Sequence, residues 1–208
     1  MTNAHDTSGP LSAGDERNRM TPSGTITPRR QSMTNAHDTS GPLSAVDERN
    51  LKAAMDSARA AILAGEGPFG AVVAGPEGTI VMTQHNETLT ARDHTRHAEA
   101  VLASRFCRAY YDQPEFRAGS TLYSSMEPCA MCMFTMFKAG IGRLVYGLSA
   151  ERMYSAHATF ATLPRTTITS RECAQRMNRP MLVLGPYFED EGLQLWDEAF
   201  RRFTERRG

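Results

Sequence analysis

The chain has little of what a membrane, secreted or nucleic-acid-coating protein needs. Within its 208 residues no apolar run approaches the roughly 18 residues of a membrane span, and no apolar signal core stands at the N-terminus. It has no charge excess either: Lys plus Arg and Asp plus Glu both number 23, which argues against a nucleic acid partner beyond a local basic patch such as Arg201, Arg202, Arg206 and Arg207. Four cysteines are too few for a disulfide scaffold and suit a reducing, cytoplasmic setting. Aromatic residues are absent before Phe69.

That last absence defines the N-terminus. Met1 to Asn18 and Met33 to Asn50 repeat one text with a single difference, Gly14 against Val46. Two copies without aliphatic periodicity do not make a solenoid. The stretch 1–45 is rich in Ser, Thr, Gly and Pro and has too little apolar area to offset ordering entropy, so it reads as a disordered extension, with one globular domain over 46–208. His5 and His37 are then solvated tail residues. Either Met33 is the functional start or the upstream copy is a duplicated or artefactual segment.

What is present is a metal pattern. His97-Ala98-Glu99 is followed by Pro128-Cys129-Ala130-Met131-Cys132. Taken singly, His-x-Glu says almost nothing, and Cys-x-x-Cys also fits a redox pair or half of a closed zinc knuckle. In combination, one His and two Cys hold Zn2+ with a fourth position open to water, as catalytic rather than structural sites do. Glu99 adds a carboxylate for proton transfer. His97 and Glu99 share a site only if a helix begins there, with Val101, Leu102 and Phe106 as its buried stripe and Asp93 or Thr95 as its cap. Pro128 at a first helical position would place Cys129 and Cys132 one turn apart on one face. Cys107 and Cys173 read as small hydrophobes. His94 reads as a loop residue, and Met126, Met131, Met133 and Met136 as core.

Further elements follow from periodicity. A helix is predicted from Asp47, with Leu51, Met55, Ala58 and Ile62 on one face and Gly65 at its stop. Gly70 to Ala74 and Thr79 to Met82 form a hairpin through Gly75-Pro76-Glu77-Gly78. Thr121 to Tyr123, the helix from Pro128 and Gly142 to Tyr146 make a strand, helix, strand unit with neighbouring parallel strands. A short helix near Glu151, a strand over Met181 to Leu184 and a helix from Asp190 to Arg202 complete a three-layer α/β/α domain with a mixed five-stranded sheet. Between Glu151 and Pro180 the pattern supports little else. Trp196 and Phe200 fit packing of the last helix on the core better than a lid.

From Asp47 to Leu148 the chain resembles the cytidine and deoxycytidylate deaminase superfamily, in its guanine deaminase and tRNA adenosine deaminase branch. The resemblance rests on Gly67-Pro68-Phe69-Gly70-Ala71, Asn86, Asp93 to Glu99 and Glu127 to Cys132, in that order. It implies the cytidine deaminase-like fold, zinc on His97, Cys129 and Cys132, proton shuttling by Glu99, a substrate contact from Asn86, and assembly as a homodimer. Asn86 suits the edge of a base, since its amide both donates and accepts, although a turn residue after a strand is the plainer alternative. Phe69 either stacks on a flat ring or plugs the core. Ala98, between the ligand and the acid, is a third candidate substrate contact. Guanine deaminases of this type carry a further acid beyond the fourth strand, whereas Met153 to Phe160 has none unless Glu151 or His157 substitutes. The expected substrate is therefore a small amino-bearing nitrogen heterocycle: guanine, a related base or nucleoside, or a triazine. A tRNA adenosine deaminase and a non-catalytic zinc-stabilised module are the alternatives.

Overall fold

A computed structural model describes residues 42–157 and 166–205. The predicted extension lies outside the described residues except for its last few, and these are not extension-like. Ser44 caps α1 (Ala45–Ala64) by accepting from the Asp47 N–H, so the helix starts two residues before the expected Asp47. Gly65, at φ 83°, ends it, as predicted.

β1 (Gly70–Ala74) and β2 (Ile80–His85) form the predicted antiparallel hairpin. β2 runs to His85, beyond the expected Met82, because its polar second half pairs with the start of β1, Gly70 opposite His85. Next come α2 (Ala98–Ala109), α3 (Pro114–Gly119), β3 (Thr121–Met126), α4 (Ala130–Ala139) and β4 (Arg143–Leu148). α5 (Ala150–Ser155), α6 (Ser170–Gln175), β5 (Leu182–Leu184) and α7 (Glu189–Glu205) follow. The sheet order is β2-β1-β3-β4-β5. β1 is antiparallel to β2 and β3, and β3, β4 and β5 are parallel, so the mixed five-stranded sheet stands as expected.

Alternation within β1 builds the two outer layers. Ala71 and Val73 face α2 and α4, joining Ala98, Leu102, Phe106, Met133 and Met136, whereas Val72 and Ala74 face α1 through Leu51 and Ala54. α7 shares the α1 side, where Leu195 meets Met55, Ala58 and Ile62. Gly70 sets how closely α1 approaches the sheet, since a β-carbon there would lie 2.3 Å from the Ala58 nitrogen and 2.5 Å from the Ala54 oxygen. Asp47 ties the start of α1 to the sheet. Its carboxylate takes two bonds from Arg143 of β4, at 2.6 and 2.8 Å, and one from the Tyr123 hydroxyl of β3 at 2.8 Å. The Arg143 guanidinium is the main reason its pKa falls to about 2.

Three local expectations need correction. Neither Asp93 nor Thr95 caps α2: its N-cap is His97, and Asp93 instead accepts from the Thr95 N–H and hydroxyl in the preceding turn. Pro128 lies just outside α4, whose N-cap is Cys129. Met131 is 36% exposed while Met126, Met133 and Met136 are core. Among the described residues no helix is long and apolar enough to cross a membrane.

Candidate active site

Two helix starts converge beside the end of β3. His97 caps α2 and Cys129 caps α4, so each ligand stands where a helix begins and where backbone N–H groups have no intrahelical partner. Cys132, one turn into α4, is fully buried. The His97 Nδ1 atom lies 3.7 Å from the Cys129 sulfur and 3.6 Å from the Cys132 sulfur, and the sulfurs are 3.6 Å apart. Tetrahedral zinc with ordinary bond lengths, about 2.3 Å to sulfur and about 2.0 Å to nitrogen, separates two sulfurs by about 3.8 Å and sulfur from nitrogen by about 3.5 Å. The three side chains therefore fit one zinc ion, and they are the cluster the described residues offer for it. Contact with the Cys132 thiol, then with His97, lowers the Cys129 pKa to about 4, and Cys129 in turn raises the pKa of His97.

Glu99 lies in the first turn of α2, 4% exposed, with Oε2 3.5 Å from the Cys132 sulfur. Burial raises its pKa. Its other oxygen accepts from the Ser124 hydroxyl at 2.8 Å. Ser124 was not anticipated. The available signal was a small polar residue between Leu122 and Met126 on the face of β3 that looks toward α2. Ala98, the first residue of α2, is fully buried with its methyl in the core.

Phe69 and Asn86 reach the site from the hairpin. The Phe69 ring is parallel to the His97 ring, 3° between planes and 6.5 Å between centroids, and tilted against Trp196 at 6.0 Å. A cavity of about 380 Å³ opens beside it, lined by Glu66, Phe69, Asn86, Trp196 and Phe200 among others. Trp196 both packs on Met126, Leu148 and Met153 and walls this cavity, whose lining adjoins the metal cluster through Phe69. Asn86 is 2% exposed and its backbone N–H bonds to the Phe69 carbonyl. Its Nδ2 donates to Thr88 at 2.8 Å and to Glu66 at 3.4 Å. Glu66, also missed in the sequence, accepts from the Leu89 and Thr90 N–H groups at 3.0 and 2.6 Å.

Glu127 fastens the remaining wall. Its two carboxylate oxygens accept from the Ala150 N–H at 3.0 Å and the Ser170 N–H at 2.9 Å, at the starts of α5 and α6, and the Ser170 hydroxyl donates to the Pro128 carbonyl. Of the two residues considered as substitutes for a further acid, Glu151 is exposed, and His157 pairs with Asp197 at 2.9 Å while lying over Phe200. His94 is exposed, Cys107 half-buried and Cys173 buried. Residues 158–160 of the stretch without a carboxylate, like His5, His37, Arg206 and Arg207, lie outside the described residues.

Fold, ligand spacing and buried acid together define a class of zinc hydrolase, and comparison with known proteins gives its family. The model of the cytidine and deoxycytidylate deaminase zinc-binding region matches residues 44–148, and the chain belongs to that family as a zinc-dependent hydrolytic deaminase. It is 33% identical to the probable cytosine deaminase of Schizosaccharomyces pombe over 129 residues, covering 62% of this chain and 76% of the relative. It is 29% identical to the tRNA-specific adenosine deaminase of Aquifex aeolicus over 121 residues, 58% of this chain and 78% of that one. The solved guanine deaminase from Nitrosomonas europaea superposes with a TM-score of 0.61 at 22% identity, over 77% of this chain and 88% of its own, a likeness of fold.

Proposed function

We propose that this deaminase acts on a small amino-bearing nitrogen heterocycle, guanine or a related base, nucleoside or triazine, and releases ammonia. The observation that carries the reading is the buried Glu99 carboxyl beside the zinc ligands, with one oxygen held by Ser124 and the other turned to the metal position. Zinc, when bound there, lowers the pKa of water and so supplies a nucleophile near neutral pH. Glu99 Oε2 takes the proton that the water gives up as its oxygen bonds to the carbon bearing the amine. It returns that proton to the adjacent ring nitrogen. The hydroxyl now on that carbon gives up the water's second proton, also passed through Glu99, to the amine, which leaves as ammonia while the C–N bond breaks and the hydroxyl becomes a carbonyl. The raised pKa of Glu99 suits it to both directions of transfer.

Phe69 forms one wall for the ring. Its ring lies parallel to that of His97, with a face that suits stacking on a flat heterocycle. Asn86 reads one ring edge, and the backbone N–H of Ala98 and those at the start of α4 support developing negative charge. The cavity of about 380 Å³ beside Phe69 and Asn86 has room for a small ring. Exposed Met131 and Phe134 on α4 support assembly as a homodimer, and four free cysteines support a cytoplasmic setting. The catalytic domain then begins at the Ser44 cap of α1, with the residues before it outside.

The test is ammonia release by zinc-loaded protein over guanine, adenine, cytosine, their nucleosides and aminated triazines. Glu99→Gln is expected to retain zinc and lose turnover by 10²-fold or more. Undiminished turnover would falsify the mechanism. Salt-sensitive binding of a tRNA stem-loop with no turnover of free bases would favour the RNA-editing alternative instead.

A further inference from the structure

Asn86 has more neighbours than a substrate contact needs. Its side-chain nitrogen carries two hydrogens, and both are taken within the protein, one by the Thr88 hydroxyl at 2.8 Å and one by the Glu66 carboxylate at 3.4 Å. What remains is the carbonyl oxygen. Turning the amide over would set that oxygen against the Glu66 carboxylate, two acceptors without a proton between them, in a region where Glu66 is 5% exposed and Asn86 2%. Burial alone would favour a protonated Glu66 able to donate. The bonds from Thr90 and Leu89 outweigh it and keep the carboxyl below its ordinary pKa, hence acceptor-only.

We propose that Glu66 is a positioning residue that locks the Asn86 carboxamide with its oxygen as the sole group left for a ligand, so that the site selects heterocycles presenting a ring N–H and discriminates against those with that nitrogen substituted. This rests on the reading of Asn86 as a substrate contact. It narrows the substrate class from amino heterocycles in general to those with a hydrogen on the ring nitrogen at that edge, free bases before their glycosylated or alkylated forms. Glu66 follows α1 and Thr88 follows β2, and both line the same cavity as Asn86.

The experiment compares each base that the zinc-loaded wild type deaminates with its N-methyl isomers, for example cytosine against 1-methylcytosine and guanine against 9-methylguanine. In Glu66→Gln the new amide can donate to the Asn86 oxygen, so the preferred amide orientation is lost. The expected result is a rise in KM for the unsubstituted base of about tenfold or more, with kcat and zinc content little changed. Thr88→Val removes one acceptor while sparing the Glu66 anchor. The Thr88 hydroxyl can donate or accept and so does not fix the amide, and the preference for N–H over N-methyl substrates is expected to persist in this variant while it narrows in Glu66→Gln; a purely steric preference would persist in both. Unchanged KM and unchanged discrimination in Glu66→Gln would overturn the proposal, as would loss of the preference in Thr88→Val; if Glu66→Gln does not fold, Glu66→Ala, which removes the acceptor without adding a donor, is read in its place. A wild type that deaminates nothing in the series overturns the functional reading, and this inference falls with it.

Discussion

Replacing Asp47 by Asn should separate the electrostatic part of this fold's stability from the rest. Asp47 sits in the first turn of α1, 7% exposed, where Arg143 grips both carboxylate oxygens and Tyr123 donates to one of them. Holding its pKa at about 2 instead of 3.8 corresponds to about 2.4 kcal/mol in favour of the folded, charged form, at about 1.4 kcal/mol per pH unit. The Arg143 side chain is 26% exposed, so screening trims this toward about 2 kcal/mol, or about 4 to 8 °C in Tm for a domain of this size. The sign follows from a depressed folded pKa. The contribution is complete above the unfolded pKa near 4 and is lost as pH falls through about 2, with roughly half remaining at pH 3. Urea unfolding of wild type and Asp47→Asn at pH 7 and pH 3, with a chelator throughout so that acid release of zinc does not enter, should show the gap between them shrinking by about half. A gap below about 0.5 kcal/mol at pH 7, or one that stays constant to pH 3, would refute the reasoning.

Ser124→Ala should retain zinc but lower kcat by about tenfold. Because the Ser124 hydroxyl lowers the Glu99 pKa, its removal should move the acid limb of the kcat/KM profile to higher pH, and an unmoved limb would count against Glu99 as the proton carrier. Gly70→Ala should cost about 1 to 3 kcal/mol, because its methyl would press on the backbone of α1, and a melting curve overlaying that of the wild type would show that α1 yields instead. A chain beginning at Met33 should match the full chain in zinc content and turnover; a loss of either would give the upstream copy a role.

Local chemistry was legible and long-range chemistry was not. His97, Glu99, Cys129 and Cys132 announce themselves because their types and spacing are meaningful within short stretches, and α1 and the hairpin declare themselves through periodicity and glycine punctuation. Ser124 acts on Glu99 across 25 residues, and Glu66 reaches Leu89 and Thr90 across 23 and 24, so nothing next to them in the chain marks their use. α6 is a different case. Thr169 and Glu172 form a capping box that was readable, but six residues are too few for apolar periodicity to draw attention to it. The Pro128 expectation failed for a physical reason as well. With Cys129 as the cap rather than the first helical residue, its N–H and sulfur stay at the mouth of the helix, while Cys132 is carried into the core.

Glu127 holds the N-termini of α5 and α6 on one carboxylate. The span from Ala150 to Ser170 thus has its two ends clamped at one point beside the zinc ligands. Loop closure is only weakly sensitive to length, about 0.6 kcal/mol for each doubling, so a clamp of this kind makes the span an exchangeable cassette. An engineer can graft the corresponding span of another deaminase between the two clamped ends, with the metal centre left on its own helices.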